Sequence, residues 1–410
     1  MESRRSFLIG GATLAAGAAS AGVVPPAMAA EAAPAAKDTF IPSAPYTTGS
    51  AERSIEIINL FDLEPEAEKI VPKPQFSYIS SGSGDEWTKR ENIRAFYDRQ
   101  ILPRYLAGVG EPDISVELLG AKLETPVFVA PVAAHGLAHV SAEKGTAKGA
   151  ADAGALFTIP TLANFTIEEV QAASPSGPKW FQLYFMKDMG ANRELLQRAK
   201  ALGAKAVVFC VDLEWAGNRE SDKRTGFAFP PELGFPNIPN APGGLTLAEL
   251  FSRYFHRQLT FDHIEFIAKE SGLPVVVKGM LTPDNSKEVL KRGASVIWVS
   301  NHGGRQLDTT PASIVVLPGI VDAVGPDVPV VLDSGVRRGV HVFQALALGA
   351  KAVAVGRPAM YSLALGGAPG VMSMFGALNK ELKLAMKLAG TASIKDVNKG
   401  YVTELNKRET

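Results

Sequence analysis

The segment ASVIWVSNHGGRQLD, residues 294–308, decides the fold prediction. Its first half is an uninterrupted apolar run rich in β-branched residues, which is typical of a strand buried on both faces in a parallel sheet. The run ends abruptly at Ser300, and His302 and Arg305 follow, separated by two glycines. An imidazole and a guanidinium therefore follow a predicted buried strand directly, at the point where the chain leaves the core. In a barrel of parallel strands, that point is the active-site face.

Seven other segments of the same kind occur along the chain. The eight predicted strands are TPVFVAP (125–131), ALFTIP (155–160), KWFQLYF (179–185), KAVVFCVD (205–212), LPVVVKG (273–279), ASVIWVSN (294–301), VPVVLDSG (328–335) and KAVAVG (351–356). Amphipathic stretches separate them, and several end in glycine, the expected C-terminal end of a helix. The repeat predicts an α/β fold, an eight-stranded (β/α)8 TIM barrel. An open doubly wound sheet is the alternative, but no GxGxxG motif opens the first unit.

The fourth unit departs from this repeat. A long insertion lies between Asp212 and Leu273, and it includes FPPELGFPNIPNAPGG (229–244), which is too rich in proline and glycine for regular structure. Long excursions at the C-terminal face of a barrel are often active-site lids. We therefore predict a lid insertion after the fourth strand, with Phe227 to Gly244 as its most irregular part.

The composition places the chain among soluble globular enzymes. It has 410 residues, of which 46% are hydrophobic and 20% charged. Its formal net charge is zero, so no nucleic-acid partner is expected. Cys210 is the only cysteine, which excludes an intrachain disulfide and a structural zinc cluster. The six histidines show no HExxH spacing, so no metal site is expected.

The N-terminal residues form a separate region. Arg4 and Arg5 precede a weakly apolar Ala/Gly-rich run, and small residues surround Ala27-Met28-Ala29. This pattern predicts a twin-arginine export signal over residues 1–30 and a periplasmic or secreted mature protein. A transmembrane anchor is the alternative, but a bilayer span needs ~20 strongly apolar residues. Residues 31–60 read as a linker or N-terminal arm, and residues 61–410 as the catalytic domain.

Polar or charged residues stand at the C-terminal ends of most of the predicted strands. Read in chain order, the strand ends are Pro131-Val132-Ala133, Thr161, Gln182 with Tyr184, Asp212, Lys278, Ser300, His302 with Arg305, Asp333 with Arg337, and Gly356-Arg357. Because the strand ends of a barrel share one mouth, such a set is improbable as surface decoration. Each residue alone has a structural alternative: Lys278 as a solvated loop residue, Asp212 as a cap of the next element, His302 as a satisfied structural histidine.

The last two units indicate a phosphate site. DSGVRRG (333–339) and VGRPAM (355–360) place glycine-rich turns and arginines after the seventh and eighth strands, where barrels commonly hold a phosphate. Turn geometry alone explains the glycines but not Arg337 and Arg357 beside them. Lys278, across the mouth, can stabilise negative charge on a flavin ring.

Three other residues indicate a substrate acid. Arg219 and Arg305 suit a bidentate clamp on a carboxylate. His302, between them, is a natural general base. The strand ends therefore predict one mouth that binds both a phosphate-bearing cofactor and a small acid.

At this point the chain resembles the family of FMN-dependent α-hydroxy-acid oxidases and dehydrogenases. The matching pieces are SYISSGSGDEWTKREN, PVFVAPVAAHGLAH, WFQLYFMKD, GNRESD, LPVVVKG, IWVSNHGGRQLD, LDSGVRRGVHV and VGRPAMYSLALGG. The resemblance as a whole covers roughly residues 61 to 410 and runs through every strand end. The resemblance implies a bound FMN, oxidation of an L-2-hydroxy acid with lactate as the expected substrate, and a homo-oligomer, typically a tetramer.

The resemblance also implies a role for each residue at the mouth. His302 removes a proton during oxidation of the α-hydroxyl, and Asp212 pairs with the imidazolium that results. Arg219 and Arg305 hold the substrate carboxylate. Tyr78 and Tyr184 also bind substrate, whereas the flavin is bound by Pro131, Val132, Ala133, Thr161, Gln182, Cys210, Lys278, Ser300, Asp333, Ser334, Gly335, Val336, Arg337, Gly356 and Arg357. Whether the α-hydrogen leaves as a proton or as a hydride stays open.

The chain departs from the family pattern in two segments, at the end of the second strand and at the end of the fourth. The family usually has serine at the end of the second strand and an aromatic residue two positions on, where this chain has Pro160 and Leu162. An apolar wall is therefore expected near the substrate. Cys210 replaces the family's threonine and is a weaker donor to the flavin. The small Ala133 and Ala134 are typical of members with ready oxygen access.

Four functions are compatible with these site residues. The favoured one is an oxidase that passes electrons to oxygen and releases hydrogen peroxide. The second is a dehydrogenase linked to a quinone or cytochrome, the third a lactate 2-monooxygenase that decarboxylates pyruvate before release. The fourth, of a different class, is an exported binding protein that has lost turnover. The intact His302 argues against it, because a binding protein has no need of a general base.

Overall fold

A closed barrel of eight parallel strands forms the centre of the computed structural model, which describes residues 46–405. The strands are β4 (Val127–Val129), β5 (Phe157–Ile159), β6 (Lys179–Leu183), β7 (Val207–Cys210), β8 (Val275–Met280), β9 (Ala294–Val299), β10 (Val330–Leu332) and β11 (Ala352–Val355). The last pairs with the first, with Val353 opposite Val127. Each predicted strand overlaps one of them, so the barrel is confirmed and the open sheet was wrong.

Helices follow each strand on the outside of the barrel. They are α4 (Ala142–Asp152), α5 (Ile167–Ala173), α6 (Met189–Ala201), α9 (Asp262–Ser271), α10 (Pro283–Lys291), α11 (Ser313–Val324), α12 (Gly339–Ala347) and α13 (Arg357–Ala389). Local sequence sets several starts: Thr166 caps α5 in a capping box with Glu169, and Thr282 caps α10 ahead of Pro283.

Two cores result from the alternation of side chains along each strand. In β4, Val127 and Val129 belong to the layer between barrel and helices, whereas Phe128 belongs to a second cluster. That cluster fills the barrel interior, where Phe128 lies edge-on to Trp180 and Trp298 at centroid separations of 5.6 and 5.2 Å. The strands are buried on both faces for this reason.

Shorter elements surround the barrel. Before β4 come α1 (Leu63–Glu68), α2 (Lys73–Ser80), α3 (Trp87–Arg94), β1 (Arg99–Ile101), β2 (Val116–Leu118) and β3 (Ala121–Leu123). The last element of the described residues is β12 (Val402–Glu404), and short 3-10 turns lie at 60–62, 95–98, 135–137, 394–396 and 399–401. β1 pairs antiparallel with β12. The β2–β3 hairpin packs its apolar face on the barrel interior cluster.

The long insertion lies between β7 and β8. Besides α9 it contains α7 (Glu220–Thr225) and α8 (Leu247–Tyr254), and residues 226–246 form neither helix nor strand, as their proline and glycine content predicts. Two asparagines fasten this irregular part. Asn164 Nδ2 donates to the Gly234 carbonyl at 3.1 Å, and Asn237 Nδ2 donates to the Phe165 carbonyl at 3.1 Å. The insertion is thereby tied to the turn between β5 and α5.

The predicted signal, residues 1–30, and the start of the predicted arm, residues 31–45, lie outside the described residues. Residues 46–59 run extended along the barrel without a helix. The Arg53 amide donates to the Gly366 carbonyl at 3.0 Å, and Glu52 accepts from the Ala368 amide at 3.1 Å where α13 is broken. Within residues 46–405, every helix is too short or too polar to cross a bilayer.

Candidate active site

His302 lies just beyond β9 in a left-handed conformation, with φ +57°. The Ser300 hydroxyl accepts a hydrogen bond from its amide at 3.0 Å and fixes this turn. The two glycines that follow are also left-handed, and both are packed closely: a Cβ at Gly303 would lie 2.9 Å from Arg357 Nη1, and one at Gly304 would lie 2.5 Å from the Lys89 amide nitrogen. The spacing HGGR therefore reflects a backbone folded tightly against its neighbours.

The imidazole of His302 is oriented by Asp212, at the end of β7. His302 Nδ1 lies 2.9 Å from Asp212 Oδ1, which leaves Nε2 as the nitrogen available to exchange a proton at the cavity. Burial lowers the pKa of His302 and outweighs the carboxylate, which raises it. The ring is therefore a neutral base at neutral pH, and the Asp212 carboxylate fixes its orientation.

Lys278 completes a buried charge network. Its Nζ lies 3.5 Å from Asp212 Oδ2 and 3.7 Å from Asp333 Oδ2. Burial by itself would raise the pKa of Asp212, but the charges of Lys278 and His302 hold it below its ordinary value. Cys210 Sγ donates to Asp212 Oδ1 at 2.9 Å. The carboxylate behind His302 therefore stays ionised.

Arg219 and Arg305 converge on the ring of Tyr78. Their guanidinium carbons lie 5.7 and 5.0 Å from its centroid. Arg219 is 4% exposed, and its Nη1 has no hydrogen-bond partner among the described residues. Burial and the neighbouring charge of Arg305 lower the pKa of Arg219 to about 10. Two cations this close and only partly hydrogen-bonded are suited to an anionic ligand.

These groups open into one cavity at the C-terminal ends of the strands. Most predicted site residues line it: Tyr78, Pro131, Val132, Ala133, Tyr184, Arg219, Lys278, His302, Arg305, Asp333, Ser334, Gly335, Val336, Arg337, Gly356 and Arg357. Leu162, Leu213 and Leu247 also line it and form the expected apolar wall. Its lining, apolar with a few convergent charged groups, fits a cofactor together with a small substrate.

Five predicted residues lie behind this lining. Asp212 and Cys210 contact His302 and each other as described, and Ser300 bonds the His302 amide. Thr161 donates its hydroxyl hydrogen to the Gln182 carbonyl, and its amide donates to Gln182 Oε1 at 3.2 Å. Gln182 Nε2 is buried without a partner among the described residues. This donor fits a hydrogen bond to a flavin ring edge.

The far end of the cavity carries two arginines, of which Arg337 is buried and Arg357 is half-buried. Arg337 donates to the Val336 carbonyl at 2.9 Å, and Arg357 donates to the Gly303 carbonyl at 2.9 Å. Within residues 46–405, neither forms an ion pair with a carboxylate. Gly335 has φ +87°, and a Cβ there would lie 2.0 Å from the Asn92 carbonyl oxygen. Two arginines that no carboxylate pairs with in the described part of the chain, beside a glycine turn and the start of α13, fit the phosphate of FMN.

Sequence reasoning gave no role to Gln306. Its Nε2 donates to the Asp212 and Trp215 carbonyls, each at 2.8 Å, and its Oε1 accepts from Arg219 Nη2 at 3.4 Å. It therefore ties the turn after β9 to the turn after β7. Ser81 was also missed, and its carbonyl accepts from Arg305 and Arg357 at 2.9 and 2.8 Å. Both residues stand inside quoted motifs, but only their tertiary contacts identify them.

Comparisons with known proteins agree with this geometry. Residues 67–404 match the family model described as FMN-dependent dehydrogenase. The L-lactate oxidase of Streptococcus iniae is 45% identical over 356 residues, 86% of this chain and 87% of that protein. A Pediococcus acidilactici lactate oxidase structure superposes with a TM-score of 0.84 at 44% identity, covering 88% of this chain and 98% of that one. A mandelate oxidase with (S)-4-hydroxymandelic acid gives 0.80 at 36% identity, covering 84% and 98%.

Proposed function

This chain belongs to the family of FMN-dependent dehydrogenases, and from that premise we propose that it oxidises an L-2-hydroxy acid to the 2-oxo acid, with L-lactate as the substrate and oxygen as the acceptor. FMN is its cofactor. One observation carries the proposal: His302, backed by Asp212, opens into the same cavity as the arginine pair.

The substrate carboxylate is held by Arg219 and Arg305 over Tyr78. Buried guanidinium groups with free donors form strong charge-assisted hydrogen bonds to a carboxylate. The hydroxyl-bearing carbon then lies toward His302, and the side chain of the acid lies against Leu162, Leu213 and Leu247. An apolar wall suits the methyl group of lactate. The same wall is also compatible with a larger apolar side chain, such as the phenyl group of mandelate, and the experiment below therefore includes mandelate.

The protein's own contribution to chemistry is proton transfer and charge stabilisation. Bound FMN supplies the two-electron acceptor. His302 Nε2 takes the proton of the substrate hydroxyl, and the resulting imidazolium gains its stabilisation from the Asp212 carboxylate 2.9 Å from Nδ1. Because that carboxylate already pairs with Lys278, it is ionised before substrate arrives.

A quinone- or cytochrome-linked dehydrogenase is the second candidate. The predicted export signal supports it, because such acceptors are available outside the cytoplasm. A lactate 2-monooxygenase differs only in retaining the product until it is decarboxylated. The small Ala133 on the cavity wall supports oxygen as the acceptor.

One experiment separates these candidates. The purified protein is expected to be yellow, and L-lactate is expected to bleach it without air. Reoxidation by oxygen within seconds, with one peroxide per pyruvate, supports the oxidase. Slow reoxidation that a quinone or dye accelerates identifies the dehydrogenase, and acetate with CO2 identifies the monooxygenase. If lactate, mandelate and a panel of other 2-hydroxy acids all leave the colour unchanged, the protein is a binding protein and the proposal fails.

Three further features belong to the proposal. The segment from Phe227 to Gly244 acts as a lid, supported by Phe227, which stacks on Tyr78 at 4.5 Å. Export follows from Arg4 and Arg5, and replacing both by lysine is expected to stop it. A homotetramer is the expected assembly, and light scattering of the purified holoprotein tests it.

A further inference from the structure

Glu143, in the first turn of α4, is a buried carboxylate with no role in the reaction just described. It is 0% exposed, and no cation pairs with it among residues 46–405. A buried carboxylate without a cation is costly, so its hydrogen bonds define what it does. Oε1 accepts from the His135 amide at 2.9 Å, and Oε2 accepts from the Asn164 amide at 3.0 Å.

These two amides belong to two different loops of the active-site face. His135 follows the loop after β4, whose residues Pro131 to Ala133 line the cavity. Asn164 follows the loop after β5, where Leu162 lines the same cavity. The loops also bond to each other, since the Ala134 amide donates to the Leu162 carbonyl at 2.8 Å while Ala134 is held at φ +56°.

Asn164 extends the connection to the insertion. Its Oδ1 accepts from the Gly136 amide at 2.8 Å, and its Nδ2 donates to the Gly234 carbonyl at 3.1 Å. One carboxylate thus anchors the wall of the flavin site, the wall of the substrate site and, through Asn164, the irregular segment beyond them.

We propose that Glu143 is a positioning residue for the flavin site, whose ionised carboxylate holds the loops after β4 and β5 together against the bound ring. The proposal rests on the assignment of FMN to this cavity. The ionised form serves both loops best, because both of its oxygens are then strong acceptors for an amide. Protonation makes one oxygen a hydroxyl, which is a weaker acceptor and carries a hydrogen that needs its own partner, and the amide of glutamine places an NH2 donor against an N–H.

Burial gives this arrangement a pH dependence. Burial raises the pKa of Glu143, and the hydrogen bonds from backbone N–H groups lower it. Burial is the larger effect, so the pKa of Glu143 is about 7. Two other ionisable side chains lie close by. His135 Nδ1 contacts Thr146 Oγ1 at 2.7 Å, and burial lowers the pKa of His135 to about 3, so it stays neutral. Lys144 Nζ lies over the ring of Phe165, 3.7 Å from its centroid.

The test is the rate of flavin release from the holoprotein between about pH 5.5 and pH 8.5, a range that spans the pKa of about 7. Release is followed by flavin fluorescence without substrate, so the result does not depend on turnover. Wild type is expected to release FMN faster as the pH falls through about 7. Glu143→Gln is expected to release it about tenfold faster than wild type at about pH 8, the effect of losing roughly one hydrogen bond to a charged group, and to lose the pH step.

Glu169→Gln is the matched control. Glu169 also accepts from a backbone amide, that of Thr166 at 2.8 Å, but it is exposed at the start of α5. This variant is expected to keep the wild-type rate and pH step. Equal rates for Glu143→Gln and wild type at about pH 8, or a pH step retained in the variant, would overturn the proposal.

A second series covers the case in which Glu143→Gln does not fold. Wild type loaded with riboflavin lacks the phosphate, whose own proton titrates near pH ~6. Faster riboflavin release below about pH 7 supports the role of Glu143, and a flat profile overturns it. A protein that binds flavin as described but oxidises no 2-hydroxy acid would refute the proposed function and leave this inference standing.

Discussion

His302 has a backbone conformation that few side chains adopt. Its φ of +57° is supported by Ser300 below and by the two left-handed glycines after it. Strain of this kind persists only where the surroundings fix it, and it is concentrated at functional sites. Here it turns the ring away from the axis of β9, so that one nitrogen faces Asp212 and the other faces the cavity.

His302→Gln is expected to keep bound FMN and to lower the rate of anaerobic flavin bleaching by L-lactate by roughly 10²-fold or more, the usual contribution of a general base. The measurement is stopped-flow absorbance of the flavin. His263→Gln, on the outer helix α9, is the control and is expected to bleach at the wild-type rate. Bleaching by His302→Gln at that rate would remove His302 from its assigned role.

The pH profile tests the pair of His302 and Asp212. Burial lowers the pKa of His302 below 6.5, so the neutral base predominates at neutral pH and flavin reduction is lost only as the pH falls through that lowered value. Asp212 raises the pKa of His302. Asp212→Asn is therefore expected to move the acid limb to still lower pH and to slow reduction at neutral pH. A limb that moves upward would contradict the assignment.

At the scale of elements, the turns that join β10 to α12 and β11 to α13 form the end of the cavity at which we propose that the phosphate binds. They place glycines where the backbone must pass close to its neighbours, and they bring Arg337 and Arg357 to one end of the cavity. Adjacent residues in the first turn have opposite surroundings. Arg337 is buried at the cavity, whereas Arg338 pairs with Glu381 at 2.7 Å on the outside.

This contrast supplies a matched pair of variants. Arg337→Gln is expected to weaken FMN binding by about 10-fold or more, since hydrogen bonds to charged groups are worth about 1.5–3 kcal/mol, and to leave riboflavin binding nearly unchanged. Arg338→Gln is expected to change neither. Titration of the apoprotein with each flavin measures both constants. Equal loss of FMN and riboflavin affinity in Arg337→Gln would place the phosphate elsewhere.

At the scale of the whole molecule, the barrel separates stability from function. Its interior is filled by aromatic and aliphatic side chains and is closed at the end opposite the site by the β2–β3 hairpin, with Leu118 1% exposed. The polar groups collect at the other end. Such a division lets the turns at one face vary while the packed core stays the same.

Leu118→Ala is expected to lower the free energy of unfolding by about 2–5 kcal/mol through cavity formation, and to leave FMN affinity unchanged. Chemical denaturation of the apoprotein and flavin titration measure the two quantities. Weaker FMN binding in this variant, at a temperature where it is folded, would show that the two ends are coupled.

The sequence by itself determined the barrel and most of the members of the site. Eight apolar runs with helices between them predict a parallel sheet buried on both faces, and the missing GxGxxG motif favours the closed form, in which every strand ends at one mouth. The residue at each strand end, such as Asp212, Lys278 or His302, was therefore predictable from its place in the repeat.

Only the tertiary structure decided how those residues act on one another. The partner of an imidazole or a guanidinium depends on distances across the barrel, which no local pattern encodes. Gln306 ties two turns together, and Glu143 holds two loops from behind, although each looks like an ordinary polar residue in the sequence. Burial, which sets the charge of both Glu143 and His302, likewise follows from packing by distant segments.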